Sequence, residues 1–363
     1  MYKEMEVIEP IINFHKVKYD KLIELIRSSD MEGSKVNVFI NLNSILNKFY
    51  REDVISGVIS LKYIENIVLT AEIINLVAHY RHFFWSRFKV PSKFYFYYCN
   101  KVPKNGKKNL DDYMELFKEK QNENNAKYGE ITSIINNNLK LVDSISTYVQ
   151  GTYFIKSNGL EPGVISYYII KKFSDDDTCN LILTSDKLDY QLANLKNTFI
   201  LKANGKNSKL ISKKEIFDYK FKDIKYRPKK NIHPSFYPLV LSFCGCKSRE
   251  LTSIKGYGFV KTMKLLDKLI SSDKLDNKVP KTIEYSILED VLEDDIFSLL
   301  NNRYKSISYR YQYLLLNDID KMNIESKLKD KYDNMAIMGI NTDYFPNNNI
   351  QLVELCEGVE MWK

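Results

Sequence analysis

Two short stretches of this 363-residue chain carry residues that could do chemistry. One is Lys255-Gly256-Tyr257-Gly258-Phe259-Val260-Lys261-Thr262-Met263-Lys264, two glycines around one aromatic with an amphipathic run straight after. Val260, Met263, Leu265, Leu266, Leu269 and Ile270 recur at helical spacing, so a helix opens just past the second glycine. First-turn N–H groups of a helix have no partner inside it and point where an anion can sit. Glycines let the backbone turn tightly and approach a partner closely, and Lys255, Lys261 and Lys264 add positive charge. The pattern fits a phosphate cradle, with Thr262 in the first turn, and it equally fits an ordinary corner between core helices. The other stretch is Asn180-Leu181-Ile182-Leu183-Thr184-Ser185-Asp186, an apolar run that ends polar, followed by a helix start at Leu188 to Leu192. A buried strand with a polar carboxyl end is how open α/β sheets present reactive groups.

The elements that must hold these stretches alternate. Lys35 to Asn43 is a short apolar strand with a polar tip at Asn41, and Lys93 to Asn100 is a second strand rich in aromatics. Tyr153-Phe154-Ile155 reads as a third, and Thr198-Phe199-Ile200-Leu201 closes the series after the Asn180 strand. Helices are expected at 15–29, about 44–56, 60–84 and 130–149, and from Glu161 to about Phe173, where Pro162 suits a first turn. Alternation of this kind predicts a mostly parallel sheet covered on both faces. The polar stretch Lys101 to Tyr128 reads as a solvated excursion.

Composition narrows the field. Lys and Arg number 54 against 46 Asp and Glu, a net charge of +8 that permits an anionic partner without demanding one. Five scattered cysteines fit reduced thiols and an intracellular protein. Cys244 and Cys246 are too few for a zinc site. There is no signal-like start and no run of transmembrane length, so no membrane partner is expected. Between Lys206 and Lys230 ten basic residues face Glu215, Asp218 and Asp223, and this run leads straight toward the glycine turn. Beyond Lys281 the chain is helical in pattern, acidic first and then basic and aromatic from Arg303 to Tyr313.

In this order the pieces resemble the flap endonuclease (5′-nuclease) family over about Val36 to Ile270. Thr184-Ser185-Asp186-Lys187-Leu188-Asp189-Tyr190-Gln191-Leu192 matches that family's strand-end motif. Gly245-Cys246-Lys247-Ser248-Arg249-Glu250-Leu251, followed by Gly256-Tyr257-Gly258, matches its last acidic motif and its helix–hairpin–helix. The resemblance implies a PIN-like α/β core over 37–230 and a helix–hairpin–helix subdomain over 231–280. An N-terminal extension (1–36) and a C-terminal helical extension (281–363) complete the chain. In the family a carboxylate cluster holds two divalent cations, which polarise water and phosphate. Here the corresponding positions are Asn41, Gly163, Val164, Leu188, Cys246 and Arg249, and only Glu161 and Asp186 are kept. Asp189, one position off, is expected to face away. Arg249 is expected to point at Glu161 and Asp186 as their counter-charge, with no metal and no cofactor.

The resemblance therefore implies a nuclease fold without its catalysis. It suggests nucleic acid, DNA before RNA, held by its phosphates on Lys255, Gly256, Gly258, Lys261, Thr262 and Lys264, in a viral replication, transcription or virion assembly. Two other readings remain open: a structural subunit that binds no nucleic acid, and an active nuclease with a rebuilt site on Glu161 and Asp186.

Overall fold

The structure, a computed structural model, describes residues 35–43, 77, 80–82, 84–86, 89–99, 139–140, 142–143, 146, 151–157, 160–202, 209–217, 232–249, 251–272, 274–275 and 286–328. The expected helices at 15–29 and 44–56, the excursion Lys101 to Tyr128, the basic run beyond residue 217 and the chain after Leu328 lie outside the described residues.

Apolar, β-branched and aromatic runs make the strands. These are β1 (Lys35–Asn41), β2 (Ser92–Cys99), β3 (Thr152–Ser157), β4 (Thr178–Thr184), β5 (Thr198–Lys202) and β6 (Lys209–Ile211). They form one sheet in the order β3-β2-β1-β4-β5-β6, parallel throughout except for the antiparallel β5–β6 pair. β1 and β4 are buried along almost their whole length. That is why they read as continuous apolar runs and not as alternating ones. β6 escaped the sequence reading because three residues at a sheet edge carry too little pattern.

The helices follow the strands. α1 (Pro162–Phe173) starts with Pro162, whose missing N–H falls where no intrahelical bond is made. After β4 comes a 3₁₀ helix, Lys187–Asn194, where the sequence suggested the start of an α-helix. α2 (Tyr237–Cys244) and α3 (Phe259–Ser271) flank the glycine turn. The described residues end with α4 (Ser286–Glu289), α5 (Asp294–Ile307), α6 (Tyr309–Leu314) and α7 (Asp318–Leu328).

Two apolar clusters hold these elements. The main one joins the sheet to α1, the 3₁₀ helix and the C-terminal residues Ile307, Tyr309, Leu316 and Ile324. The second packs α2 and α3 through Leu239, Val240, Phe243, Met263 and Leu266 against Leu300 and Tyr304 of α5. The C-terminal helices are thus part of both cores.

Candidate functional site

Strand order reverses on either side of β1: β2 and β3 run out one way, β4, β5 and β6 the other. A crevice opens at the carboxyl ends of the strands at such a switch point. Asn41 ends β1, and Asp186 follows β4 by two residues. Glu161 arrives from the far side as the residue before α1, and Arg249 from the short 3₁₀ turn after α2. Four segments distant in sequence converge here.

Arg249 is the centre of the cluster. Its Nε donates to Glu161 Oε1 at 2.8 Å and Nη2 donates to Glu161 Oε2, the two-pronged geometry that matches guanidinium to carboxylate. Nη1 reaches Asp186 Oδ2 at 3.3 Å and the Ser248 carbonyl at 3.0 Å. The Arg249 side chain is 13% exposed and that of Glu161 1%. Sequence reasoning places the guanidinium between these two acids, and there it lies. Burial pushes the Glu161 carboxyl up to about 7 against the pull of Arg249. Burial also lowers the Arg249 guanidinium, but Glu161 and Asp186 together outweigh it and raise the group overall. Asp186 also caps its own 3₁₀ helix, accepting from the Leu188 N–H at 2.8 Å.

Asp189 does not face away as expected. It is fully buried in the same cluster, where its Oδ2 accepts from Asn41 Nδ2 at 2.8 Å and Thr184 Oγ1 at 2.5 Å, and its Oδ1 from the Tyr309 hydroxyl at 2.6 Å. Residues three apart lie on one side of a helical turn, and at three residues per turn they eclipse, so Asp189 returns to the side of Asp186. Burial and the nearby Asp186 raise the Asp189 carboxyl to about 6, despite its three donors.

Tyr309 was not legible as a site residue. It is the first residue of α6, and its ring lies against Gly163, where a Cβ would fall 2.0 Å from Cε2. Gln191 fixes the segment from both sides, donating to the Ile307 carbonyl at 2.9 Å and accepting from the Tyr309 N–H at 2.8 Å. Cys246 turns into the main core, its thiol 3.3 Å from Ser248 Oγ.

The glycine turn forms a separate surface. Gly256 takes φ +79°, a conformation that L side chains rarely adopt. Gly258 is extended at φ −70°, ψ 174° and caps α3, and a Cβ built there meets nothing within 4 Å. The protein's own atoms therefore leave room for a side chain at Gly258. Lys255, Gly256, Gly258, Lys261 and Lys264 are exposed. Lys261 Nζ stands 4.2 Å from the centre of the Tyr257 ring. Thr262 is corrected: it is buried, and its hydroxyl turns back to the Gly258 carbonyl at 3.1 Å, so it braces the turn. Arg303 of α5 braces it from outside, donating to the Thr252 carbonyl at 2.7 Å.

A mostly parallel sheet in this order, with acids gathered at its switch point, is the arrangement of the 5′-nuclease fold, and the chain has that fold. Among solved structures it is similar to the 5′-exonuclease of bacteriophage T5 with bound zinc ions, at a TM-score of 0.53 and 10% identity over 82% of this chain and 100% of that one. It is also similar to the T5 D15 protein co-crystallized with metal ions, at a TM-score of 0.54 and 9% identity with the same coverage. No protein-family model and no curated protein matches the chain.

The metal pair that the family's chemistry requires does not fit the residues present. Two of the three acids share one guanidinium, the third is taken up by neutral donors, and the Tyr309 ring occupies the space in front of Gly163. Among the described residues no group of His, Cys, Asp and Glu has a metal-holding arrangement. None of the described helices is long and apolar enough to cross a membrane.

Proposed function

We propose that this protein is a catalytically inactive 5′-nuclease-like chain that binds nucleic acid, DNA in particular, through its backbone phosphates, within a viral replication, transcription or virion assembly. The observation that carries the reading is the Arg249 clamp on Glu161 and Asp186. A guanidinium supplies at that point the positive charge that divalent ions supply in a two-metal phosphodiesterase, but it activates no water. Binding is left to the exposed turn, where Gly256 sets the approach and Lys255, Lys261 and Lys264 flank the N-terminus of α3.

The test is fluorescence anisotropy on flap, nicked and duplex DNA at two salt concentrations, with a magnesium-dependent cleavage assay alongside. If three lysines each neutralise one phosphate, affinity falls about 40-fold between 50 and 200 mM salt. Lys261→Glu with Lys264→Glu weakens binding and flattens that slope. Metal-dependent cleavage of any of the three substrates would overturn the inactive reading. Salt-independent affinity, or affinity untouched in the variant, would favour a structural subunit that binds no nucleic acid.

A further inference from the structure

At the amino ends of the strands, across the sheet from the acid cluster, a helix leads into β2 and carries an exposed indole. Residues 80–82 and 84–86 are helical, and Trp85 among them is 36% exposed. Arg81 stands four residues before Trp85 and so shares its face. Lys89 closes the helix: its N–H donates to the Trp85 carbonyl at 3.0 Å, and its Nζ stands 5.6 Å from the centre of the Trp85 ring. Lys89 does this at φ +56°, a left-handed position where glycine is the usual residue. Glycine there would relieve the backbone but leave no ammonium beside the indole. Strained positions of this kind gather at functional sites.

More positive charge lies alongside. A Cβ built on Gly151 would fall 3.7 Å from Arg81 Nη2 and 3.8 Å from Lys93 Cγ, so both side chains flank that glycine. Arg81 also lies 5.5 Å from the centre of the Phe94 ring, and Lys93 Nζ 5.8 Å from that of Tyr153. The surrounding sequence is one-sided. Between Glu72 and Asp111 it has eight Lys and Arg and no acid, although Asp and Glu number 46 in the whole chain.

We propose that Trp85, bordered by Arg81, Lys89 and Lys93, is a stacking site for single-stranded nucleic acid. An indole face accepts any unpaired base, and the cations around it take the phosphates on either side. A duplex keeps its bases stacked on one another and has none to offer. Charge of one sign around the ring selects a polyanion over an apolar partner. The site shares no residue with the glycine turn, so it stands apart from the binding proposed there.

The chain has two tryptophans, Trp85 and Trp362, so Trp362→Phe leaves Trp85 as the reporter. Fluorescence titration in that background uses oligo(dT) and oligo(rU) of about 16 nucleotides, the upper end of common site sizes. The expected result is saturable quenching by at least one of the two, which tells DNA from RNA, and none by duplex of equal length. Trp85→Leu lowers affinity for a labelled oligonucleotide about fivefold or more. Trp85→Phe keeps most of it, and circular dichroism is unchanged in both. Lys89→Gly raises the melting temperature yet weakens binding and reduces the salt slope by about 0.7. A lysine that only closed the helix would leave binding as it was. Lys261→Glu with Lys264→Glu does not alter the quenching, so failure at the glycine turn and failure here are told apart. The proposal is overturned by no quenching with either oligonucleotide or by equal quenching with duplex. It is overturned equally by wild-type affinity in Trp85→Leu or Lys89→Gly, or by quenching lost in the glycine-turn variant.

Discussion

The ring of Tyr309 lies so close over Gly163 that a methyl group on that glycine would sit 2.0 Å from Cε2. Two residues 146 positions apart are therefore one packing decision: a glycine on α1 is the space in which an aromatic of α6 is seated. Gly163→Ala then costs on the order of 1–3 kcal/mol by overpacking. The cost shrinks in a Tyr309→Ala background, although that change alone also destabilises. Urea denaturation of the four proteins reads the coupling, and additive effects would contradict it.

Arg249→Ala leaves Glu161 buried without its partner, a loss of about 3–5 kcal/mol when both groups are charged. Removing the guanidinium also removes the pull that opposes burial at Glu161, so its carboxyl titrates above about 7. The folded variant then holds a proton that the unfolded chain releases near 4.5, and its stability falls as pH rises through that interval. Thermal melts at pH 5 and pH 8 should show the larger loss at pH 8. An equal loss at both would mean that Glu161 is not what Arg249 serves.

Asp189→Asn isolates a second group. Its folded carboxyl is raised from 3.8 to about 6, so the native state binds more protons in that window and the wild type loses stability as pH rises through it. An asparagine there has no charge to bury, and the Tyr309 hydroxyl can accept where it formerly donated. The melting temperature of the variant relative to wild type should climb between about pH 4 and 6 and then level off. A flat or falling difference would count against the buried-charge account.

At the turn, Gly256→Ala strains a left-handed position and costs on the order of 1–2 kcal/mol, while Gly258→Ala leaves stability nearly unchanged. Any loss of nucleic-acid affinity in Gly258→Val then reports on the ligand and not on folding. Equal destabilisation of the two alanine variants would refute this division of roles.

How much of this stood in the sequence depends on whether a feature is local. The positions of β1 to β5, α1 and α3 were legible, because apolar runs and the glycine turn are signals carried within a few residues. Arg249, Glu161 and Asp186 were legible through motif spacing, which carries long-range information. Asp189 was misread because the side of the turn that faces the cleft is set by packing around Leu188 and Tyr190, which no local pattern encodes. Thr262 was misread because its face of α3 is fixed by the core beneath it. Tyr309 left no trace at all: its partner is a missing side chain at Gly163, and an absence has no period.

α5 sends Leu300 and Tyr304 into the apolar cluster beneath the glycine turn and Ile307 into the one beneath the sheet, which α6 joins through Tyr309. Only Ser308 separates them, accepting from the Tyr311 N–H below and donating to the Tyr304 hydroxyl above, and it is wholly buried. Heat cannot loosen one cluster without pulling on this strut, so both should melt as a single cooperative unit. The glycine turn is consequently held at a fixed angle to the sheet, as a rigid bracket and not as a hinged arm.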